Sequence, residues 1–559
     1  MKKEKTLVKL LSCALLAGVL LAGCTNGNAP ASSETASVTS QQSTASISAD
    51  TPSWKLDTSP LTIRWFVAYD WYSKVFSPDK NEADKKMLEE TGITLEIETG
   101  DTEKLNVLIS TNSLPDVVTF DAVASQRLQL ENNGRVEPLE PLIKQYAPDI
   151  NVPQSMLDWY RNKDGNSYCI ASYFFAPEHC NDEYGGYYDI HNINLARADI
   201  LKQIGMTKED MQTKEGFLNA CRAVKNQNIQ YDGKPVIPYM ADVYMALTDI
   251  SQQFGISPED KNGNLTDTYA QPEYKEAMRF LNTMYNEGLM TDESFTFSNE
   301  QRDEKVASGL VFSGTDHTVI GQEARRSLFA ADPNALFETC GLMDSISDKP
   351  HYVPGINTAG WTGTLINKTA EHKDRIIRLF SYLTSEEITL DTEYGTGCYD
   401  IVDGHVVIKT DKQQEFTDTP DIAYAKYKSD FGYFQDWTII QKYMPTSFSN
   451  ALEEDMATFS KNNLPSVYDG RYYTGLPLDP ESEAAKTSVK IGQYTEEMIP
   501  TVIMAPQDQF EAKYEEMIKQ CKALGQDSVN EVYNQLFQDR KQLLNMKYAY
   551  PEDALADPS

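Results

Sequence analysis

Apolar residues alternate along Leu61, Ile63, Trp65 and Val67, which predicts a strand with one buried face. A polar helix follows over residues 81 to 90, stopped by Gly92. Ile93, Leu95 and Ile97 then alternate with Thr94, Glu96 and Glu98 as a second strand. Leu105, Leu108 and Ile109 mark a helix, and "LPDVVTF" reads as a third strand. Strand, helix, strand, helix, strand is the order of a parallel sheet with helices on its faces, and ligands of such sheets bind beyond the carboxyl ends of the strands. Further on, "QPEYKEAMRFLNTMYNEGLM" predicts a helix with Tyr274, Ala277, Met278, Leu281, Met284 and Tyr285 on one face, Pro272 in its first turn and Gly288 at its end. "GLVFSG" and "GWTGTLINKT" are short strands, the latter followed by a helix that turns Ile376, Ile377, Phe380 and Leu383 inward. Two more helices are expected at the carboxyl end, the last with Val529, Val532, Tyr533, Leu536 and Phe537 on one stripe. No repeat of fixed period is present.

One stretch stands out in this pattern. "RWFVAYDWYSK" packs Trp65, Phe66, Tyr69, Trp71 and Tyr72 together, beginning inside the first strand and running past its carboxyl end. Trp65 belongs to the strand alternation. Tyr69 and Trp71 lie beyond it, where core packing and ligand binding are equally good reasons for a ring.

The chain is long enough for two or more core-bearing domains, because single cores stop growing at about 250–300 residues. Its formal charge of −33 argues against DNA or RNA, whose phosphates need clustered Lys and Arg, and slows polyanionic ligands. Lys2, Lys3, Lys5 and Lys9 precede an apolar run from Leu10 to Leu21, too short to span a membrane, which ends in Leu21-Ala22-Gly23-Cys24. The thiol of Cys24 is the nucleophile that can carry a lipid. Residues 25 to 53 are rich in Ser, Thr, Ala and Gln with no aromatic residue, too little apolar surface to offset ordering entropy, and read as a flexible stalk. No other segment is long and apolar enough to cross a membrane, so the rest is expected outside the cell, tethered but soluble.

Cys521 falls on the apolar face of a helix and is expected to be buried. Cys169 and Cys180 flank a short loop and can pair in an oxidising setting, although spacing alone does not decide it. Cys169, His179, Cys180 and His191 match no familiar zinc spacing. There is no G-x-S-x-G elbow, H-E-x-x-H, Walker loop or G-x-G-x-x-G, and abundant carboxylates are not by themselves evidence of catalysis, so no enzyme activity is expected.

Basic head, apolar run and L-A-G-C together resemble the lipobox of bacterial lipoproteins. That implies a signal peptide over residues 1–23, a mature chain starting at an acylated (palmitate-bearing) Cys24, and a stalk over 24–54. Behind it, "LISTNSLPDVVTF", "NNGRVEPLEPLIKQYAP", "DGNSYCIAS", "NINLARADILKQIGM", "EYKEAMRFLNTMYNEGLM", "EKVASGLVFSG", "LINKTAEHKDRIIRLFSYLTSEE", "EYGTG" and "YTEEMIPTVIMAPQDQFEAKYEEMIKQCKALG" occur in the order found in extracellular solute-binding proteins of ABC importers. The chain resembles that family (family 1-like), in its large lipoprotein type associated with oligosaccharide uptake in Gram-positive bacteria. The resemblance implies an α/β chain with a two-lobe periplasmic-binding-protein-like fold (type II). Each lobe is a mainly parallel sheet flanked by helices, with the ligand cleft between lobes. "DGNSYCIAS" and the stretch near "HYVPGINTAGW" resemble the crossings, which places one lobe at 55–170 and 356–440 and the other at 171–355 and 441–559. It also implies a carbohydrate ligand, permease subunits of an ABC importer as partner, a membrane held through the lipid only, a monomer, and no cofactor. Many large members carry a calcium loop after the helix that matches "EGFLNACRAVK"; here "NQNIQYDGKPVIPYM" offers Asp232 as its one carboxylate, where calcium wants six to eight oxygens, so no calcium is expected there.

Sugars present flat C–H faces to rings and hydroxyls to Asp, Asn and Gln, so a cleft for them needs both. The candidate rings are Trp65, Tyr69, Trp71, Tyr173, Trp361, Tyr394 and Trp437, and the candidate acceptors Asp70 and Asp116; for Tyr394 and Trp437 core packing is the stronger expectation. A peptide binder is the rival of the same class and would need charged clamps, for which Arg64 and Arg197 are available. A surface glycan-active enzyme is the rival of another class.

Overall fold

A computed structural model describes residues 51–72, 74–179, 192–315, 319–356, 359–429, 432–445, 451–452, 454–455, 464–476, 478–479, 481–543 and 546–558. Cys24, the stalk up to residue 50, Cys180 and His191 lie outside the described residues. The chain builds strands β1 (Leu61–Val67), β2 (Ile93–Thr99), β3 (Val117–Asp121), β4 (Ile170–Ala171) and β5 (Asn194–Arg197), followed by further strands named below by their residues.

β1 lies at the heart of the first sheet, parallel to β2 on one side and β3 on the other. The alternation of β2 puts Ile93 and Leu95 in the core and leaves Thr94, Glu96 and Glu98 outside. The helix Glu82–Thr91 that joins β1 to β2 is capped by the Asn81 side chain, which accepts from the Asp84 amide. It ends at Gly92 (φ 69°), where a Cβ would come within 2.1 Å of the Thr58 carbonyl oxygen, so only glycine turns the chain into β2 here. The strand Thr362–Ile366 enters between β3 and β4, antiparallel to both. Before residue 61, Ser53–Lys55 form a short 3₁₀ turn, and Trp54 meets Tyr382 edge-on at 5.8 Å.

The second sheet orders Phe337–Thr339, β5, Val311–Thr315 and Ile237–Met240. Only its last pair is parallel. Both sheets are therefore mixed: the parallel pairs come from local strand–helix–strand units, and the opposed strands arrive from the other sheet. The core of the first lobe runs from Ile63 through Ala176 and takes up Ala359 to Ile388 with Tyr433 and Phe434. That of the second runs from Ala196 to Met343 and is completed by Ile491 to Val529.

Three segments connect the sheets. One leaves β4, one returns before Thr362, and a third brings the carboxyl-terminal helices back to the second core. The last two run side by side as a parallel pair, Val353–Ile356 with Val467–Asp469, and Phe174 bridges Ala359 between the first two. The buried Arg471 ties this region together by donating to the Asp469 carboxylate and the Phe175 carbonyl.

Several sequence expectations are adjusted. Three helices, Glu483–Ile503, Phe510–Leu524 and Gln526–Leu543, close the chain rather than two. In the last, Val529 and Phe537 are buried but Val532 is 39% exposed, because only one edge of the stripe meets its neighbours. Cys521 is buried, as its place on the apolar face predicts. Cys169 is also buried, in surroundings that push its thiol up to about 12. The segment compared with calcium loops is a hairpin, Gln230–Tyr231 with Lys234–Pro235, turned by Asp232 (φ 48°) and Gly233 (φ 73°). Among the described residues no helix is long and apolar enough to cross a membrane.

Candidate functional site

The carboxyl ends of β1 and β3 and the amino end of Thr362–Ile366 fall at one edge of the first sheet, beside the connecting segments. β1 stops at Val67, but the Ala68 amide still donates to Thr119 O (2.9 Å), holding the chain at the sheet edge for one more residue. A turn closed by Tyr72 N to Tyr69 O (3.2 Å) then lifts Asp70 and Trp71 outward, leaving Trp71 61% exposed. Trp361 is presented from the returning segment: its amide donates to Ser172 O and its carbonyl accepts from the Ala122 amide. Gly360 before it (φ 103°) lies so close to Ala171 that a Cβ would sit 2.4 Å from that residue's Cβ. A larger residue would push Trp361 off the edge. Trp361 remains 41% exposed.

Tyr173 holds the left-handed conformation (φ 55°), uncommon for a bulky residue and costly enough to need over-determination by its surroundings. Gln435 supplies it: Tyr173 N donates to Gln435 O (2.8 Å) and Tyr173 Oη to Gln435 Oε1 (2.7 Å). Gln435 Nε2 donates in turn to Glu393 Oε2 (3.0 Å). Two residues on, Trp437 opens a short helix capped by the Asp436 side chain.

These elements join five rings into a run. Trp71 and Trp361 are stacked, centroids 5.9 Å apart with planes 5° from parallel. Tyr69 sits beside both, at 5.4 and 5.2 Å. Trp361 meets Tyr173 at 6.1 Å, and Tyr173 meets Trp437 at 5.9 Å. The Tyr69 hydroxyl is buried with no hydrogen-bond partner, and burial together with the nearby Asp121 carboxylate raises its pKa, so it stays protonated. It is a donor without an acceptor, a state that folded proteins rarely leave uncompensated. At the other end His179 Nδ1 lies 3.0 Å from Thr438 Oγ1 and 3.9 Å from the Asp436 carboxylate, which burial pushes up.

Of the nine candidates, Tyr69, Asp70, Trp71, Tyr173, Trp361 and Trp437 are thus brought to one edge. Three are placed elsewhere. Trp65 is 1% exposed and buried against Phe380 and Phe434, with Nε1 donating to Thr119 Oγ1 (2.8 Å). Asp116 lies at the amino end of β3, the far end of that strand from the rings, where it accepts from the Arg64 amide (2.9 Å). Tyr394 packs with Leu390, Val406 and Ile439 in a satellite cluster and against Tyr399. Sequence reasoning missed Asp121, His179, Glu393, Gln435 and Asp436. Asp121 ends a strand whose carboxyl end was already assigned to the site, so the same rule would have found it. Gln435 and Glu393 carry no local signal, since only the fold sets Gln435 against Tyr173 and Glu393 against Gln435.

The model of the family described as bacterial extracellular solute-binding protein matches residues 82–399. A fructooligosaccharide ABC transporter substrate-binding protein, FusA of Streptococcus pneumoniae serotype 4 (strain ATCC BAA-334 / TIGR4), is 24% identical over 301 residues, 49% of this chain and 54% of the relative. The chain thus spans about half the length of that curated relative. Among solved structures, the alginate-binding protein AlgQ2 without calcium ion is 17% identical with a TM-score of 0.63, covering 87% of this chain and 100% of its own. S. pneumoniae FusA in complex with kestose is 14% identical with a TM-score of 0.64, covering 86% and 100%. An HMO-binding, ABC-transporter-associated solute-binding protein from Bifidobacterium longum infantis ATCC 15697 is 14% identical with a TM-score of 0.60, covering 88% and 100%. These structures share the two-lobe α/β fold with this chain. With more than half of its length matched by the family model, the chain belongs to the bacterial extracellular solute-binding proteins.

Proposed function

We propose that the protein captures a carbohydrate, an oligosaccharide, at the ring-lined edge and delivers it to the permease of an ABC importer. One observation carries the reading: two tryptophans, 61% and 41% exposed, stand in a continuous aromatic run at the ligand edge of a sheet. Rings there offer faces to sugar C–H groups. Asp70, Asp121 and the unpartnered Tyr69 hydroxyl offer hydrogen bonds to sugar hydroxyls. The relative FusA is named for fructooligosaccharides, which supports the same ligand class. The peptide rival lacks its clamps: Arg197 is buried and engaged by Asp199 and Gly309 O, and Arg64 lies beside Asp116, away from the rings. The enzyme rival gains nothing from a family of binding proteins.

The lobes would comprise residues 55–170 with 356–440 and residues 171–355 with 441–559, save that Ala171, Phe174 and Ala176 pack in the first core, the ligand favouring closure of the lobes about the paired connecting segments by binding the closed state more tightly. A ligand at a hundred times its dissociation constant stabilises by about 2.7 kcal/mol, so a melting screen over sugars and peptides tests the reading. Sugars should raise the melting temperature. Stabilisation by peptides alone would refute it.

The same reading places the protein on the outer face of the membrane, held by acyl chains on Cys24. Cys24→Ala should leave a folded protein that no longer fractionates with membranes. Retention after a salt wash would show another attachment.

A further inference from the structure

We propose that the helical layer of the second lobe carries a ligand site of its own, a cavity that takes a small organic cation: a protonated amine on a short apolar stem. The proposal does not depend on the carbohydrate reading. The cavity has a volume of about 520 Å³, within the range of small-molecule sites. Three helices wall it, Val243–Gln253, Glu483–Ile503 and Gln526–Leu543, together with the segment 266–269. Its lining residues all fall in 244–274 and 492–530, so no ring of the aromatic run takes part.

Two features mark it as more than a gap between helices. Gln526 is 9% exposed, and its Nε2 donates to Asn530 Oδ1 (2.6 Å), but its Oε1 is buried with no hydrogen-bond partner. Folded proteins rarely leave a buried acceptor bare, and here it stands at the wall of a space large enough to bring it a donor. The second is Gly492, in the middle of Glu483–Ile503, where glycine weakens a helix. It shares a face with Thr495, Glu496 and Ile499, all lining residues, and a Cβ built on it meets nothing within 4 Å beyond its own helical turn. The space in front of that face is kept open by the one residue type without a side chain.

The lining decides the class of ligand. Among the described residues it includes the carboxylates Asp267 and Glu496 and no Lys, Arg or His. Asp267 accepts from the Tyr269 amide (3.1 Å). Burial, the largest influence on its carboxyl, pushes the pKa up; Lys522 opposes the shift and Asp527 adds to it. An anion would be repelled by such a group, and a neutral ligand would leave it partly desolvated and uncompensated. An ammonium gives it a counter-charge and has protons left for Gln526 Oε1. Tyr269 and Tyr274, edge-to-face at 5.4 Å, add rings that attract a cation, and Leu247 and Ile499 add surface for a carbon stem. A bare metal ion is the poorer fit, since no group of three or more His, Cys, Asp or Glu among the described residues could hold one.

The test is calorimetric titration of the full mature chain with tyramine and butylamine, each against its neutral counterpart, tyrosol and butan-1-ol. At least one amine should bind with a Kd of about 1 mM or below, about tenfold or more tightly than its counterpart. Asp267→Asn removes the charge but keeps an acceptor for the Tyr269 amide, and Gly492→Leu fills the space with a good helix former. Each should weaken amine binding about tenfold or more. Melting of the free variants controls for folding, and the comparison of amine with neutral counterpart needs no variant. No amine binding at about 10 mM, a neutral counterpart bound as tightly as its amine, or binding that survives either substitution would overturn the site. Displacement of the amine by the tightest sugar from the melting screen would overturn it as well, by making the cavity part of the ring-lined edge.

Discussion

Trp65→Ala should cost about 3–5 kcal/mol of folding stability, the range for emptying a tryptophan-sized space in a core. Trp65 lies on β1, an interior strand of the first sheet paired on both sides, with 1% of its surface exposed. Its rings are boxed by Phe380 at 6.0 Å and Phe434 at 5.8 Å, so the hole would open between the sheet and two later segments of the chain. The Nε1 proton goes to Thr119 Oγ1, which shares a 2.8 Å hydrogen bond with Thr364 Oγ1. Deleting the indole thus also takes a donor from a buried hydroxyl pair, a loss separate from the cavity. Urea denaturation at unchanged m-value measures the effect, and a change under about 1 kcal/mol would show that the surroundings collapse onto the site.

The strand alternation made that assignment legible: Trp65 shares its parity with Ile63 and Val67, and all three are buried. The same logic placed Tyr69 and Trp71 beyond the strand. Strands and helix faces follow from local periodicity, which is why the strands expected along 61–67, 93–98 and 114–120 appear, as 61–67, 93–99 and 117–121. The long-range pairings do not. Nothing local announces that Thr362–Ile366 enters beside β3, or that Gln435 braces Tyr173. Asp116 was misplaced for a related reason: a carboxylate next to a strand was read without asking which end of the strand it occupies. Tyr394 shows the limit for rings, since residue type cannot separate a satellite core from a ligand surface.

Lys541→Met should be comparably damaging, at about 3–5 kcal/mol, because it strands a buried carboxylate. Lys541 and Glu259 pair at 2.8 Å with side chains 6% and 0% exposed. The ammonium also donates to the carbonyls of Gly263 and Lys547. The Glu259 carboxylate accepts from Tyr473 Oη (3.0 Å) and from the amides of Ala549 (2.8 Å) and Tyr550 (3.2 Å). One ion pair thus fastens the last helix, the segment after the third connection and the carboxyl-terminal residues onto a loop of the second lobe. The double variant Glu259→Gln with Lys541→Met should be markedly less harmed than the single one, since the amide keeps an acceptor for those donors without an uncompensated charge. Additive losses in the double-mutant cycle would show that the two groups act independently.

The most direct test of the account is Trp71→Ala, measured twice on one purified variant against the tightest sugar from the screen. The account predicts a loss of about 2 kcal/mol in binding, roughly a thirtyfold rise in Kd, with ligand-free stability changed by no more than about 0.5 kcal/mol. A large loss of ligand-free stability with affinity intact would contradict it, and would make the run of rings a piece of core.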